Sequence, residues 1–356
     1  AITLPAAITI LQKKVEEEEQ VVMVSENIVA FPWEGALAFK KALDEMFGSS
    51  AMVAERGMFG PTPPQMIAVQ TGPDSKELVP WGKFPFPLDP SSYLNTAWSN
   101  HEGRIVFAIR GEVKRKWLAT VERLADLTRE MIRRESIYRA KALRINFEDG
   151  QTPQPTFMDL REAKADEMVY TRELTALMDS NIFTPLRHAA ECRKAGIPLK
   201  RGVLLAGPYG TGKSLLARAV AKVGTENGWT FIYIKDASQL PSAIQFAQLY
   251  QPAVIFAEDV DRHVTGERTE GMDQILNTLD GIDTKTAELM VVLTTNHLDQ
   301  INRAMLRPGR LDVILNITAP DAEAVQRLIQ MYSRGKLAAD ADLTEAGELL
   351  AGYTPA

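Results

Sequence analysis

The residues of this chain that could do chemistry fall into a short series, beginning with Gly207-Pro208-Tyr209-Gly210-Thr211-Gly212-Lys213-Ser214. Glycines at 207, 210 and 212 let a backbone curl and aim successive N–H groups at phosphate oxygens. In the pattern G-x-x-x-x-G-K-S the lysine, Lys213, reaches the β- and γ-phosphates and the hydroxyl of Ser214 holds Mg²⁺, with Leu215 continuing the first helical turn behind them. The second group is Glu258-Asp259, two carboxylates closing an apolar run. A nucleotide hydrolase needs one carboxylate to hold Mg²⁺ through water, the role expected of Glu258, and one to polarise the attacking water, the role expected of Asp259. A helix N-cap is the plainer reading of Asp259 or Asp261 alone. Asn296 follows with a side-chain amide able to orient that water. Last come Arg307 and Arg310 on a proline-glycine turn, fixed cations of the kind a phosphoryl transition state requires; either arginine alone would be an ordinary surface ion pair.

These groups need elements to hold them. Gly202 to Ala206, Thr230 to Ile234, Ala253 to Ala257 and Leu289 to Thr294 are short apolar runs bounded by turn residues, the mark of strands buried on both faces, and Asp312 to Ile317 is a candidate fifth. Helical patterns alternate with them: Asp166 to Met178, Thr184 to Lys194, and Lys213 to Val223, whose positive end faces the loop. Strands alternating with helices predict a parallel sheet with its site at the strands' C-terminal ends.

Composition bounds the partners. A chain of 356 residues is expected to form at least two domains, and with 45% hydrophobic and 24% charged residues it has material for packed cores. The formal charge of −6 argues against general nucleic-acid affinity, though not against a local basic channel. The single cysteine, Cys192, excludes a disulfide framework and suits a core position. No apolar run reaches the length of a membrane span, so a cytoplasmic protein is the expectation. His263 and His297 flank the chemistry, but lone histidines near strand ends are ordinarily structural. Tyr209 either covers a nucleotide or fills space, and space-filling is the preferred reading.

Residues 1–149 read as a separate α+β domain, with 150–158 as linker because Gln151 to Pro155 holds two prolines. Ala36 to Phe47 predicts a helix stopped at Gly48, Arg104 to Arg110 a strand, and Lys114 to Arg139 a long charged helix. Gly57 to Pro90, rich in proline and glycine, reads as ordered loop. The acidic run Glu16 to Glu19 reads as a solvated face. Arg129, Arg133, Arg134 and Arg139 are interleaved with Glu122, Asp126, Glu130 and Glu135, which predicts a salt-bridged helix face.

From about residue 160 onward the chain resembles AAA ATPases. Gly207 to Ser214 matches Walker A, Val254 to Asp259 Walker B, and Asn296 sensor 1, while Arg307 and Arg310 fall on the arginine-finger positions. The resemblance implies an ATP- and Mg²⁺-dependent hydrolase with a large ATPase subdomain over 159–319 and the start of a small helical lid over 320–356. It also implies a ring, usually a hexamer with a heptamer as the alternative, whose sites lie between subunits. Walker B ends in Glu258-Asp259 where most of the family has Asp-Glu, and Lys235 to Gln251 contains no aromatic-apolar-glycine pore loop. With Leu276 to Gly281 and Thr294-Thr295-Asn296-His297, these features resemble the clade of the mitochondrial translocase that carries the folded Rieske protein. The expectation is a ring that remodels or translocates a protein client held by the N-terminal domain. The alternatives are a nucleotide-switched scaffold or a nucleic-acid-associated ATPase, including a phage or defence type.

Overall fold

The computed structural model describes residues 3–48, 55–57, 60–62, 65–147, 152–162, 168–260, 280–281, 287–301, 309–338 and 340–354. It divides into two compact units, Ala1–Ile137 and Tyr138–Ala356.

The first unit opens with helix α1 (Leu4–Glu19), none of whose residues is buried. Its acidic end is solvated, with Glu19 2.8 Å from Lys114 and also paired with Lys116. Strand β1 (Val21–Ile28) and helix α2 (Pro32–Phe47) follow, the latter ending at Gly48 with φ 81°, a backbone that glycine adopts freely. After the short strands β2 (Glu55–Gly57) and β3 (Gly60–Thr62) come β4 (Met66–Gln70), β5 (Lys76–Pro80), β6 (Gly82–Phe86), β7 (Asp89–His101) and β8 (Arg104–Lys114). Strands β1, β8, β7 and β6 form an antiparallel sheet in that order. The stretch Gly57 to Pro90, expected to be loop, is therefore largely strand in its described part. Its prolines sit where a sheet tolerates them: Pro80 ends β5, and Pro85 lies in the edge strand β6 beside a register shift. Helix α2 lies directly against β8, because a Cβ on Gly35 would stand 2.2 Å from Phe107 Cβ.

Helix α3 (Leu118–Arg134) is shorter than the predicted Lys114 to Arg139, since Arg115–Trp117 form a separate 3₁₀ turn before it. Val121, Leu124, Ala125 and Thr128 recur at helical spacing on its buried face. On its wet side Arg129 bonds Glu26 at 2.6 Å and Asp126 at 2.9 Å, and Arg134 bonds Glu130 at 2.5 Å, the salt-bridged face that the interleaved charges predict.

The second unit begins earlier than Asp149. Strands β9 (Ala142–Arg144) and β10 (Thr156–Phe157) belong to its sheet, so the proline-rich stretch between them connects two strands of one unit rather than two domains. Helices α4 (Arg172–Met178), α5 (Thr184–Arg187) and α6 (Ala189–Lys194) precede the strand β11 (Arg201–Ala206). The helix predicted over Thr184 to Lys194 is broken at His188, whose φ and ψ are −119° and 35°. Helix α7 (Lys213–Glu226), strand β12 (Thr230–Ile234), helix α8 (Leu240–Ala247), and strands β13 (Ala253–Ala257), β14 (Leu289–Thr295) and β15 (Val313–Asn316) complete the α/β layer. Helices α9 (Ala322–Ser333) and α10 (Thr344–Leu350) close the described chain.

The sheet order is β10-β9-β12-β13-β14-β11-β15, parallel except for the β10–β9 pair. Every residue of β12, β13 and β14 is buried, as continuous apolar runs require when helices cover both faces. Cys192 is buried in this core.

Candidate functional site

In a parallel sheet the C-terminal ends of all strands share one edge, so β11, β13 and β14 deliver their following residues to one place. The order β13-β14-β11 makes them adjacent. Gly207 N donates to Thr295 O at 3.1 Å, tying the start of the glycine loop to the end of β14. Gly210 and Gly212 take φ of 77° and 90°, left-handed conformations that let the loop turn into α7. Lys213 folds back over the loop, its Nζ donating to Gly207 O at 2.6 Å and Pro208 O at 2.8 Å.

Two contacts join the groups read from the sequence. Ser214 Oγ donates to Glu258 Oε1 at 2.7 Å, and Asn296 Nδ2 donates to Asp259 Oδ1 at 3.0 Å. The neighbouring carboxylates thus face different partners: Glu258 turns toward the loop helix and Asp259 toward the end of β14. Asp259 N donates to Thr294 Oγ1 at 3.0 Å, and its φ is 51°. That left-handed backbone is uncommon outside glycine and is tolerated by Asp and Asn better than by longer side chains. The order Glu258-Asp259 accordingly matches the backbone it occupies, with the shorter acid at the left-handed position. Such strain persists where surrounding bonds over-determine it, and it clusters at functional sites.

These residues fit Mg²⁺ and a nucleotide phosphate. A serine hydroxyl and a carboxylate in contact are hard oxygen donors, and Mg²⁺ is ordinarily held by one or two such side chains together with water and phosphate oxygens. No group of three His, Cys, Asp or Glu that could hold a metal by itself occurs among the described residues.

Tyr233, on β12 beside β13, was not singled out in the sequence. Burial and a hydrogen bond to Glu258 raise its pKa, and Arg144 lies 5.2 Å from its ring centroid. The signal available was a polar-tipped aromatic near the end of a buried strand. Tyr209 is 66% exposed, which corrects the space-filling reading; its ring meets His297 edge-on with centroids 6.5 Å apart.

Arg310 lies elsewhere. Its Nε donates to Asp280 Oδ1 at 2.8 Å. The turn that carries it is pinned to the beginning of β11, because Asp312 accepts from Gly309 N and from Gly202 N, both at 2.9 Å. Gly202 and the phosphate loop are at opposite ends of β11, about 15 Å apart at some 3.3 Å per residue. Arg307, Asp261 and His263 fall outside the described residues, as do Leu276 to Leu279.

Residues 203–319 match the ATPase family associated with various cellular activities (AAA), so this segment is an AAA ATPase domain. The chain is similar to the proteasome-activating nucleotidase of Methanocaldococcus jannaschii, with 30% identity over 60% of this chain and 51% of that protein. It is also similar to the cell division cycle protein 48 homolog of Archaeoglobus fulgidus, with 31% identity over 57% of this chain and 29% of that one. A third relative is the ATP-dependent zinc metalloprotease FtsH 3 of Petrotoga mobilis, with 33% identity over 58% of this chain and 33% of that protein. The chain therefore spans about half the length of the first relative and about a third of the other two. Among the described residues no helix is long and apolar enough to cross a membrane.

Proposed function

We propose that the chain is a Mg²⁺-dependent ATP hydrolase that works as a ring, a hexamer or a heptamer, and remodels or translocates a protein client through residues 1–137. The observation that carries this reading is the pairing of Ser214 with Glu258 and of Asn296 with Asp259 at one edge of the sheet. Lys213 exchanges its loop carbonyls for β- and γ-phosphate oxygens. Ser214 and Glu258 would hold Mg²⁺, and the ion when bound would neutralise charge developing on the phosphates. Asp259 accepts the proton of the attacking water while Asn296 fixes the direction of that carboxylate.

Arg310 acts on a neighbour's nucleotide. Its place at the far end of β11 from its own phosphate loop supports this, since the guanidinium cannot cross that distance within the subunit. Arg307, on the same turn in sequence, is assigned the same role from the motif. In the closed ring Arg310 exchanges Asp280 for the neighbour's γ-phosphate.

Within the AAA family the Glu258-Asp259 order and Thr294-Thr295-Asn296-His297 favour the type of the Rieske-protein translocase, which handles folded clients. The relatives' names speak of proteasome activation and ATP-dependent proteolysis, and ATP-driven work on protein is the part that carries over.

Mixed rings test the assembly. Lys213→Ala rings and Arg310→Ala rings are each expected to be inactive, and mixing the protomers is expected to restore turnover. An intact loop then meets an intact arginine across the interface. Absence of any recovery in rings shown to be mixed would contradict action between subunits.

A further inference from the structure

Tyr170 has no part in the motifs, yet it touches both the phosphate loop and the segment expected to form the lid. It precedes Thr171, the N-cap of α4, and is 7% exposed. Its phenol donates to Gly212 O at 3.0 Å. Gly212 O also accepts from Leu216 N at 3.0 Å, the first hydrogen bond of α7. Burial holds the phenol in its protonated form, so it is the donor. The space is tight: a Cβ on Gly212 would stand 3.1 Å from the Tyr170 oxygen.

The peptide geometry gives that hydrogen bond its consequence. A trans peptide is planar, and its C=O and N–H point in opposite directions. Fixing the carbonyl of Gly212 therefore fixes the N–H of Lys213, the first residue of α7. That N–H is one of the helix-start donors that have no partner within the helix and that bind phosphate at such loops.

On its other side Tyr170 is held by the lid helix α9. Arg327 Nη2 donates to Tyr170 O at 2.6 Å. Arg327 Nε is buried with no hydrogen-bond partner among the described residues, which leaves the Tyr170 carbonyl as the acceptor that places this guanidinium. A second link between the same segments, Arg172 to Glu323 at 2.7 Å, is exposed and contributes little in water.

We propose that Tyr170 is a positioning residue for nucleotide binding: it holds the Gly212–Lys213 peptide in its phosphate-binding orientation and couples that peptide to α9 through Arg327. The proposal rests on the assignment of the glycine loop as the nucleotide site. Movement of α9 is then transmitted to the loop by a chain of two hydrogen bonds, and nucleotide on the loop restrains α9 in return.

Binding of a fluorescent ADP analogue to the assembled protein, alongside steady-state ATP turnover, tests it. Tyr170→Phe removes one oxygen and is expected to weaken binding about 5-fold, the worth of one neutral hydrogen bond. KM should rise by a similar factor while kcat stays within about 2-fold, the pattern of a lost binding interaction. Arg327→Met should have an effect of the same kind, and the double variant should bind no more weakly than the weaker single, because both changes break one chain. Arg327→Met also provides an independent arm should Tyr170→Phe fail to fold. Wild-type binding by Tyr170→Phe, or multiplicative losses in the double variant, would overturn the proposal. Lys213→Ala separates the two readings: if it bound the analogue like wild type, the nucleotide assignment itself would fall.

Discussion

The two units of this chain place their side chains by different rules. In the second, parallel strands buried on both faces all end at one edge, so a residue just beyond a strand is already at the site. Glu258 follows β13 and Asn296 follows β14, and each meets a partner from the neighbouring element. In the first, an antiparallel sheet packs one face on α2 and α3 and reverses direction at each turn, so successive loops fall at opposite ends. Among the described residues of that unit, no single edge receives the ends of every strand. Sequence motifs therefore translate directly into geometry in the second unit, while in the described part of the first the patterns read from sequence are those of packing.

Substitutions should separate the units in the same way. Away from the two acids, the largest effect is expected from Arg310→Ala, which should lower turnover on the order of 10³-fold while leaving nucleotide affinity near wild type, as removal of a transition-state cation does. A comparable loss in affinity would instead place Arg310 in ground-state binding. Lys213→Ala should weaken nucleotide binding on the order of 100-fold, the loss of charged hydrogen bonds to phosphate, as read by equilibrium titration.

Changes in the first unit should act on melting rather than on chemistry. Gly35→Ala drives a methyl group into Phe107 across the α2–β8 contact, and overpacking of that kind costs about 1–3 kcal/mol. Its melting transition should fall by several degrees with basal turnover unchanged; lost turnover would show that the units are not separable. Asp89→Asn should have the smallest effect, and one that depends on pH. Burial alone would raise the Asp89 pKa, but hydrogen bonds from the side chain and backbone of Ser91 and from Ser92, with the charge of Lys114, bring it from 3.8 to about 2. A depressed carboxylate pKa stabilises the fold above the unfolded value and loses that contribution as pH falls through the folded value. The difference in melting temperature between wild type and Asp89→Asn should be full above pH 4 and close toward pH 2.

Legibility in the sequence followed the same division. The bounds of β12 and β13 were readable to the residue because a strand covered on both faces is an unbroken apolar run between turn residues. Strands β9 and β10 were not, since three residues and two residues carry no period, and the boundary between units was misplaced with them. Strands between Gly57 and Pro90 were hidden by prolines that an edge strand and strand ends accommodate. Within the site, the glycine loop, Glu258-Asp259 and Asn296 announced themselves by type and spacing. Tyr170 and Tyr233 did not, because their contacts come from segments distant in sequence and follow no motif. The left-handed backbone of Asp259 was equally invisible, although the shorter of the two acids suits it.

The division of labour between those acids is the central claim, and single-turnover hydrolysis at saturating ATP and Mg²⁺ tests it most directly. Asp259→Asn should bind nucleotide like wild type and hydrolyse it about 10²–10⁴-fold more slowly, as loss of a general base predicts. Glu258→Gln should raise the Mg²⁺ concentration needed for binding. Hydrolysis at the wild-type rate by Asp259→Asn, with nucleotide bound, would contradict the account.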